Sequence, residues 1–99
     1  MREPPRQPAR VPPKPRPPHV QERRLRFGEA LRERRLAAGL SQEQLAERCG
    51  IDRKSISRME TGTFSPRLDN VWTVAEALDV PLAVLFANVG DEQPKRRRR

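Results

Sequence analysis

Between Ser41 and Gly62 the chain reads SQEQLAERCGIDRKSISRMETG, and its apolar positions recur at helical spacing rather than in strand alternation. Leu45, Ala46 and Cys49 fall on one stripe. Ser41 followed three residues later by Gln44 is the pattern of a capping box, so a helix starts near Gln42. Gly50 supplies the left-handed conformation that ends a helix at little cost. Asp52 then caps a second helix, with its carboxylate near the positive end of the helix dipole, and Ile56 and Met59 face inward one turn apart. Gly62 stops that helix. Two such short helices are marginal alone, and a short glycine-containing turn between them sets the steep angle of a helix-turn-helix.

The flanking patterns complete an all-α, five-helix domain. Leu25 to Ala38 reads as the first helix, with Phe27, Leu31 and Ala38 on one stripe and Gly39 as its stop. Arg35 lies on that same stripe, and a buried guanidinium needs a partner. After a loop at Thr63 to Arg67, Ser65 and Pro66 look like the cap and first-turn proline of helix four. Leu68, Val71, Val74, Ala75 and Leu78 form its core stripe; Trp72, at the edge, is expected to complete the core, with contact to a partner as the alternative. Helix five starts around Pro81 and is apolar almost all round from Leu82 to Ala87. One face can bury against its own domain, and the expected cover for the other is the same helix of a second chain. A homodimer with Val84, Phe86 and Ala87 at its seam follows.

The outward face of the second short helix carries Lys54, Ser57, Arg58 and Thr61, with Arg53 flanking at the amino end. These are cations and short hydrogen-bonders without a carboxylate, the side chains that reach base edges and phosphates in double-stranded DNA. Any exposed helix face is polar, but that alone explains neither the turn nor the sorting of charge.

Ala46, Gly50, Ile51, Ile56, Ser57, Met59, Glu60 and Gly62 resemble the signature of the phage-repressor and Cro type of helix-turn-helix regulators, the XRE-like family. FGEALRERRLAAGLSQ is similar to that family's first helix and SPRLDNVWTVAEALDVPLAVLF to its fourth and fifth, so the resemblance runs from Phe27 to about Val89. It implies a five-helix phage-repressor-like fold, DNA-facing positions at Gln42, Arg53, Lys54, Ser57 and Arg58, and an internal ion pair between Arg35 and Glu60. We assign base contacts to Arg53, Lys54, Ser57 and Arg58, and backbone contacts to Gln42, Thr61, Ser65 and Arg67. Arg34 stands where a leucine is usual in the family, which implies a looser or partly snorkelled inner face on the first helix.

Composition bounds the rest. With 34% hydrophobic residues and eleven prolines, 99 residues support one small domain. Residues 1–24 hold eight of the prolines and are expected to form a disordered, extended tail; residues 25–90 are the domain and 91–99 a basic C-terminal tail. The net charge of +8 is unevenly spread. Residues 1–24 and the KRRRR run at 95–99 carry +5 each, whereas residues 25–94 carry −2. The domain's affinity for DNA must therefore rest on where its few cations sit, with the tails adding a sequence-independent attraction to phosphate. The alternative for KRRRR is a solvated charge run that serves solubility.

Residues 1–24 lack the apolar stretch of a signal peptide and no run has transmembrane length, so the expected location is cytoplasmic and nucleoid-associated, without a membrane partner. Cys49 is expected to be a small core residue rather than a redox sensor. One histidine in a tail, no tyrosine and no glycine-rich phosphate loop leave catalysis poorly supplied, so no enzyme is expected. His19 and Cys49 have no second ligand at workable spacing, so neither metal nor other cofactor is expected. The leading expectation is a sequence-specific transcriptional regulator, a repressor, acting as a homodimer on an inverted-repeat operator. Within that class a restriction-modification control protein and an antitoxin with a toxin as protein partner both remain open. Outside it stand an adaptor that docks the proline repeats at Pro5 to Pro8 and Pro12 to Pro15 on an aromatic groove, and a non-specific architectural or RNA-binding protein.

Overall fold

Five helices follow one another in the computed structural model, which describes residues 18–90: α1 Pro18–Ala37, α2 Gln42–Cys49, α3 Arg53–Thr61, α4 Leu68–Ala77 and α5 Leu82–Leu85. The expectations for residues 1–17 and for the KRRRR run lie outside the described residues.

The local signals around α2 and α3 act as their chemistry requires. Ser41 Oγ accepts from the Gln44 N–H at 3.0 Å, and Gln44 Oε1 accepts from the Ser41 N–H at 2.8 Å, so two orphan amides at the start of α2 are satisfied. Gly50 closes α2 at φ 66°, and its N–H returns to the carbonyls of Ala46 and Glu47. The Asp52 carboxylate caps α3 by accepting from the Ser55 N–H at 2.6 Å.

Leu31, Leu45, Ile56, Met59, Val74 and Leu85 are fully buried, so every helix contributes to one core. Phe27 and Leu40 join them, and Cys49, Ile51, Leu78 and Leu82 pack on the edge. α1 packs most extensively on α3. Gly28 permits this approach: a Cβ there would lie 2.5 Å from the Met59 carbonyl oxygen and closer still to that of Glu60. The spacing of apolar residues on α1 does not reveal that contact.

Several boundaries and faces differ from the sequence-based expectation. α1 begins at Pro18 rather than Leu25, so residues 18–24 are helical and not extended tail. Pro18 takes the first helical position, where its missing N–H costs nothing, and HVQERR after it holds no further proline. Gln21 Nε2 donates to the Gly62 carbonyl at 3.1 Å, and Arg26 pairs with Glu22 at 2.8 Å, so this turn is tied both to α3 and to itself. His19 therefore sits in α1, not in a tail.

Ala38 lies past the end of α1 and is exposed. α4 starts at Leu68, with Arg67 as an N-cap that makes no side-chain bond, and not at Ser65. Arg67 is extended, at φ −69° and ψ 141°, so the helical conformation cannot set in before Leu68. Leu68, at the open end of α4, is 62% exposed and leaves the core stripe. Trp72 is 45% exposed and does not complete the core: Val71, Val74 and Ala75 fill it from the adjoining face. Arg34 is exposed, so the inner face of α1 is neither loosened nor snorkelled; Phe27, Leu31 and Arg35 occupy it.

α5 is a single turn, too short to be apolar all round as a free helix. Leu85 is buried and Leu82 packs on the core edge, whereas Val84 is half-buried and Ala83 and Ala87 are exposed. Phe86 ends the turn and is 42% exposed, with its ring 5.2 Å from that of Phe27.

Candidate nucleic-acid interface

The outward surface of α3 begins immediately after the Asp52 cap. Arg53 and Lys54 are exposed in its first turn, Arg58 is exposed one turn on, and Ser57 is half-buried beside it. Among the described residues neither Arg53 nor Lys54 forms a salt bridge. The N–H and hydroxyl of Ser55 hold the Asp52 carboxyl below the usual aspartate range, with smaller help from the charges of Arg58 and Lys54. That carboxylate is thus committed to capping α3.

The only carboxylate on α3 itself is Glu60, and it faces inward. Arg35 Nε donates to Glu60 Oε2 at 2.6 Å and Nη2 to Oε1 at 2.9 Å, while Nη1 donates to the Leu40 carbonyl at 2.8 Å. The hydrogen bond to Glu60 raises the Arg35 pKa above the usual guanidinium value, against the opposing effect of burial. The expected ion pair is therefore present, and it joins α1 to α3. It also reaches α2, because Gln42 Nε2 donates to Glu60 Oε1 at 3.2 Å. One amide hydrogen of Gln42 is thus engaged inward, which leaves the other for an outside acceptor.

Gln42 and Arg53 border one shallow depression together with Ser41, Glu43 and Arg35. The start of α2 and the start of α3 are thereby brought to a common surface. Thr61 is exposed, but its hydroxyl donates to the Ser57 carbonyl at 3.0 Å and lies 3.3 Å from that of Arg58, so its proton is used within α3. Ser65 and Arg67 are exposed in the loop that follows. The sequence reading missed Phe64, in that same loop: the Arg58 guanidinium carbon stands 5.7 Å from its ring centroid. A phenylalanine outside any helical stripe was the available signal.

Val84, Phe86 and Ala87 belong to a separate region, where α5 packs on α1 and α4. Cys49 is half-buried with its sulfur 4.0 Å from the Thr73 carbonyl, and burial pushes its thiol pKa up, which suits a packing residue rather than a reactive thiolate. Among the described residues no cluster of His, Cys, Asp and Glu is placed to hold a metal ion, and no helix is long and apolar enough to cross a membrane.

Comparison with known proteins agrees with this geometry. The helix-turn-helix family HTH_3 matches residues 31–85, more than half of the chain. The control protein C.BamHI of Bacillus amyloliquefaciens is 40% identical over 76 residues, which cover 74% of this chain and 94% of that protein. An HTH-type transcriptional regulatory protein of Methanocaldococcus jannaschii is 43% identical over 68 residues; these make up 66% of this chain but only 21% of that protein's length. Among solved structures, the restriction-modification controller protein C.AhdI of Aeromonas hydrophila superposes with a TM-score of 0.61 at 44% identity, covering 63% of this chain and 94% of the controller. The relatives matched are transcriptional regulators rather than enzymes. The chain belongs to the HTH_3 helix-turn-helix family of DNA-binding transcriptional regulators.

Proposed function

We propose that this regulator reads a specific operator with α3, acts as a homodimer on an inverted repeat, and represses transcription by occupying that DNA. One observation carries the reading: the outward face of α3 presents Arg53, Lys54, Ser57 and Arg58, while its one carboxylate is turned inward and neutralised by Arg35. A surface so sorted is attractive to phosphate, and its donors are spaced to meet base edges in the major groove. Gln42, Ser65 and Arg67 flank it as backbone contacts; Thr61, whose proton is already engaged, is the weakest member of that set.

The homodimer reading is supported by uncovered apolar side chains on two packed elements. Trp72 and Leu68 on α4, and Phe86 and Ala87 at the end of α5, stand open to solvent. A two-fold dimer with one α3 per half-site prefers half-sites roughly 34 Å apart. Control of a restriction-modification system is the finer role favoured here, because the restriction-modification controller protein C.AhdI matches this chain over 94% of its own length, as does the control protein C.BamHI.

Selection of bound sites from random duplex DNA tests the proposal. An inverted repeat is expected, and a complex of two chains per site by sedimentation. A site without symmetry, or equal competition by random DNA and RNA, would instead indicate a non-specific nucleic-acid-binding protein.

A further inference from the structure

Phe64 has no role in the core. It is half-buried, lies in the loop between α3 and α4, and is absent from the cluster of side chains that fills the interior. Its ring instead faces the Arg58 guanidinium, 5.7 Å from centroid to carbon, within the range of a cation–π contact. The loop is also fastened to Arg58 through the backbone. The Arg58 carbonyl accepts from the N–H of Gly62 and, at 3.3 Å, from that of Thr63, and the Thr61 hydroxyl lies 3.3 Å away. The backbone that carries the ring and the residue that carries the guanidinium are thus held in one geometry.

We infer that Phe64 is a positioning residue for sequence discrimination, a platform that holds the Arg58 guanidinium ready to pair with one base. The inference rests on the proposed reading of α3 as the base-reading helix. A free arginine side chain loses much rotamer freedom when a contact fixes it, and a guanidinium already held over a ring loses less. Among the described residues no hydrogen bond or salt bridge engages the Arg58 guanidinium N–H groups, the donors that meet guanine O6 and N7 side by side. A phosphate contact tolerates a wandering cation. A bidentate base contact does not, so the platform should matter for discrimination more than for bulk affinity.

The test uses the full chain, a duplex recovered by selection from random DNA, and the set of its single-base-pair variants. Arg58→Ala should flatten the preference at one position of each half-site. Phe64→Leu should weaken preference at that same position by roughly two- to fivefold, the range of an exposed cation–π contact, and leave the other positions unchanged. Phe64→Tyr should restore it, and the Arg58→Ala, Phe64→Leu double variant should lose no more there than Arg58→Ala alone. Should Phe64→Leu not fold, Phe64→Trp is expected to keep or sharpen that position, and flattening by Trp overturns the inference. Uniform weakening by Phe64→Leu, no change, or additive losses in the double variant also overturn it. If Arg58→Ala flattens no position, Arg58 reads no base; the reading beneath the inference then fails with it, a result distinct from failure of Phe64 alone.

Discussion

Removing Arg35 should unfold this domain at far lower temperature, because its guanidinium is the principal compensation for a buried carboxylate. Arg35 and Glu60 are 7% and 8% exposed and share two charge-assisted bonds of 2.6 and 2.9 Å. In Arg35→Ala the carboxylate keeps only the Gln42 amide at 3.2 Å, and the Leu40 carbonyl loses its donor at 2.8 Å. Breaking a buried pair by deleting one partner costs about 3–5 kcal/mol. A domain of this size holds on the order of 4–10 kcal/mol in total, so the variant loses from about a third to all of its stability. At roughly 4–8 °C per kcal/mol the thermal midpoint should fall by about 12 °C or more. Circular dichroism melts and urea titrations measure this directly. Arg35→Met with Glu60→Leu should recover most of the loss, since apolar replacement of both partners removes the desolvation cost along with the attraction. An unchanged midpoint for Arg35→Ala with loss of DNA binding alone would refute the reasoning and make Arg35 a phosphate contact.

Three further outcomes follow from other parts of the molecule. Phe86→Glu and Ala87→Glu should give monomers with an intact helical spectrum and much weaker operator binding; Ala87 is exposed, so persistence of dimers in sedimentation of both variants would place the seam elsewhere. Deleting Lys95 to Arg99 should flatten the slope of log K against log salt by as much as about 4 while leaving the ratio of specific to non-specific affinity nearly unchanged; an intact slope would make the run a solubility device. Because hydrogen bonding to Ser55 depresses the Asp52 pKa, the folded state is favoured by the ionised carboxylate at neutral pH, and this contribution fades as pH falls through the depressed value. Asp52→Ala should therefore be less stable than the parent at pH 7 with a narrowing gap in acid, and a gap independent of pH in urea titrations would contradict the charge argument.

The sequence carried most where the determinants are local. Ser41 with Gln44, Gly50, Asp52 and Gly62 each act within a few residues of their own backbone, so α2, the turn and α3 were legible with their ends. The pair of Arg35 with Glu60 was half legible: a cation on an apolar stripe called for a partner, but only family resemblance named it. What failed depends on tertiary contact or on averaging. Composition over residues 1–24 blended a proline-rich run with HVQERR, which is helical and anchored to Gly62 through Gln21. Trp72 and Leu68 were assigned inward by hydrophobicity, but a core already filled by Val71, Val74 and Ala75 has no place for them. The approach of Gly28 to α3, the bond from Gln42 to Glu60 and the contact of Arg58 with Phe64 each need the neighbouring element in place. The outward face of α3 was visible early, since a helix whose inward stripe is known also has a known outward one.

That face is most directly tested by the affinity of the parent and of Arg53→Ala for every single-base-pair variant of the selected operator. Arg53 is exposed at the amino end of α3 with no salt bridge among the described residues, so its removal should leave the fold intact. Discrimination should fall by about 1–3 kcal/mol at one position of each half-site and stay put elsewhere. Equal weakening across all sequences would contradict it, because α3 would then be held to the backbone by Arg53 and would not read bases through it.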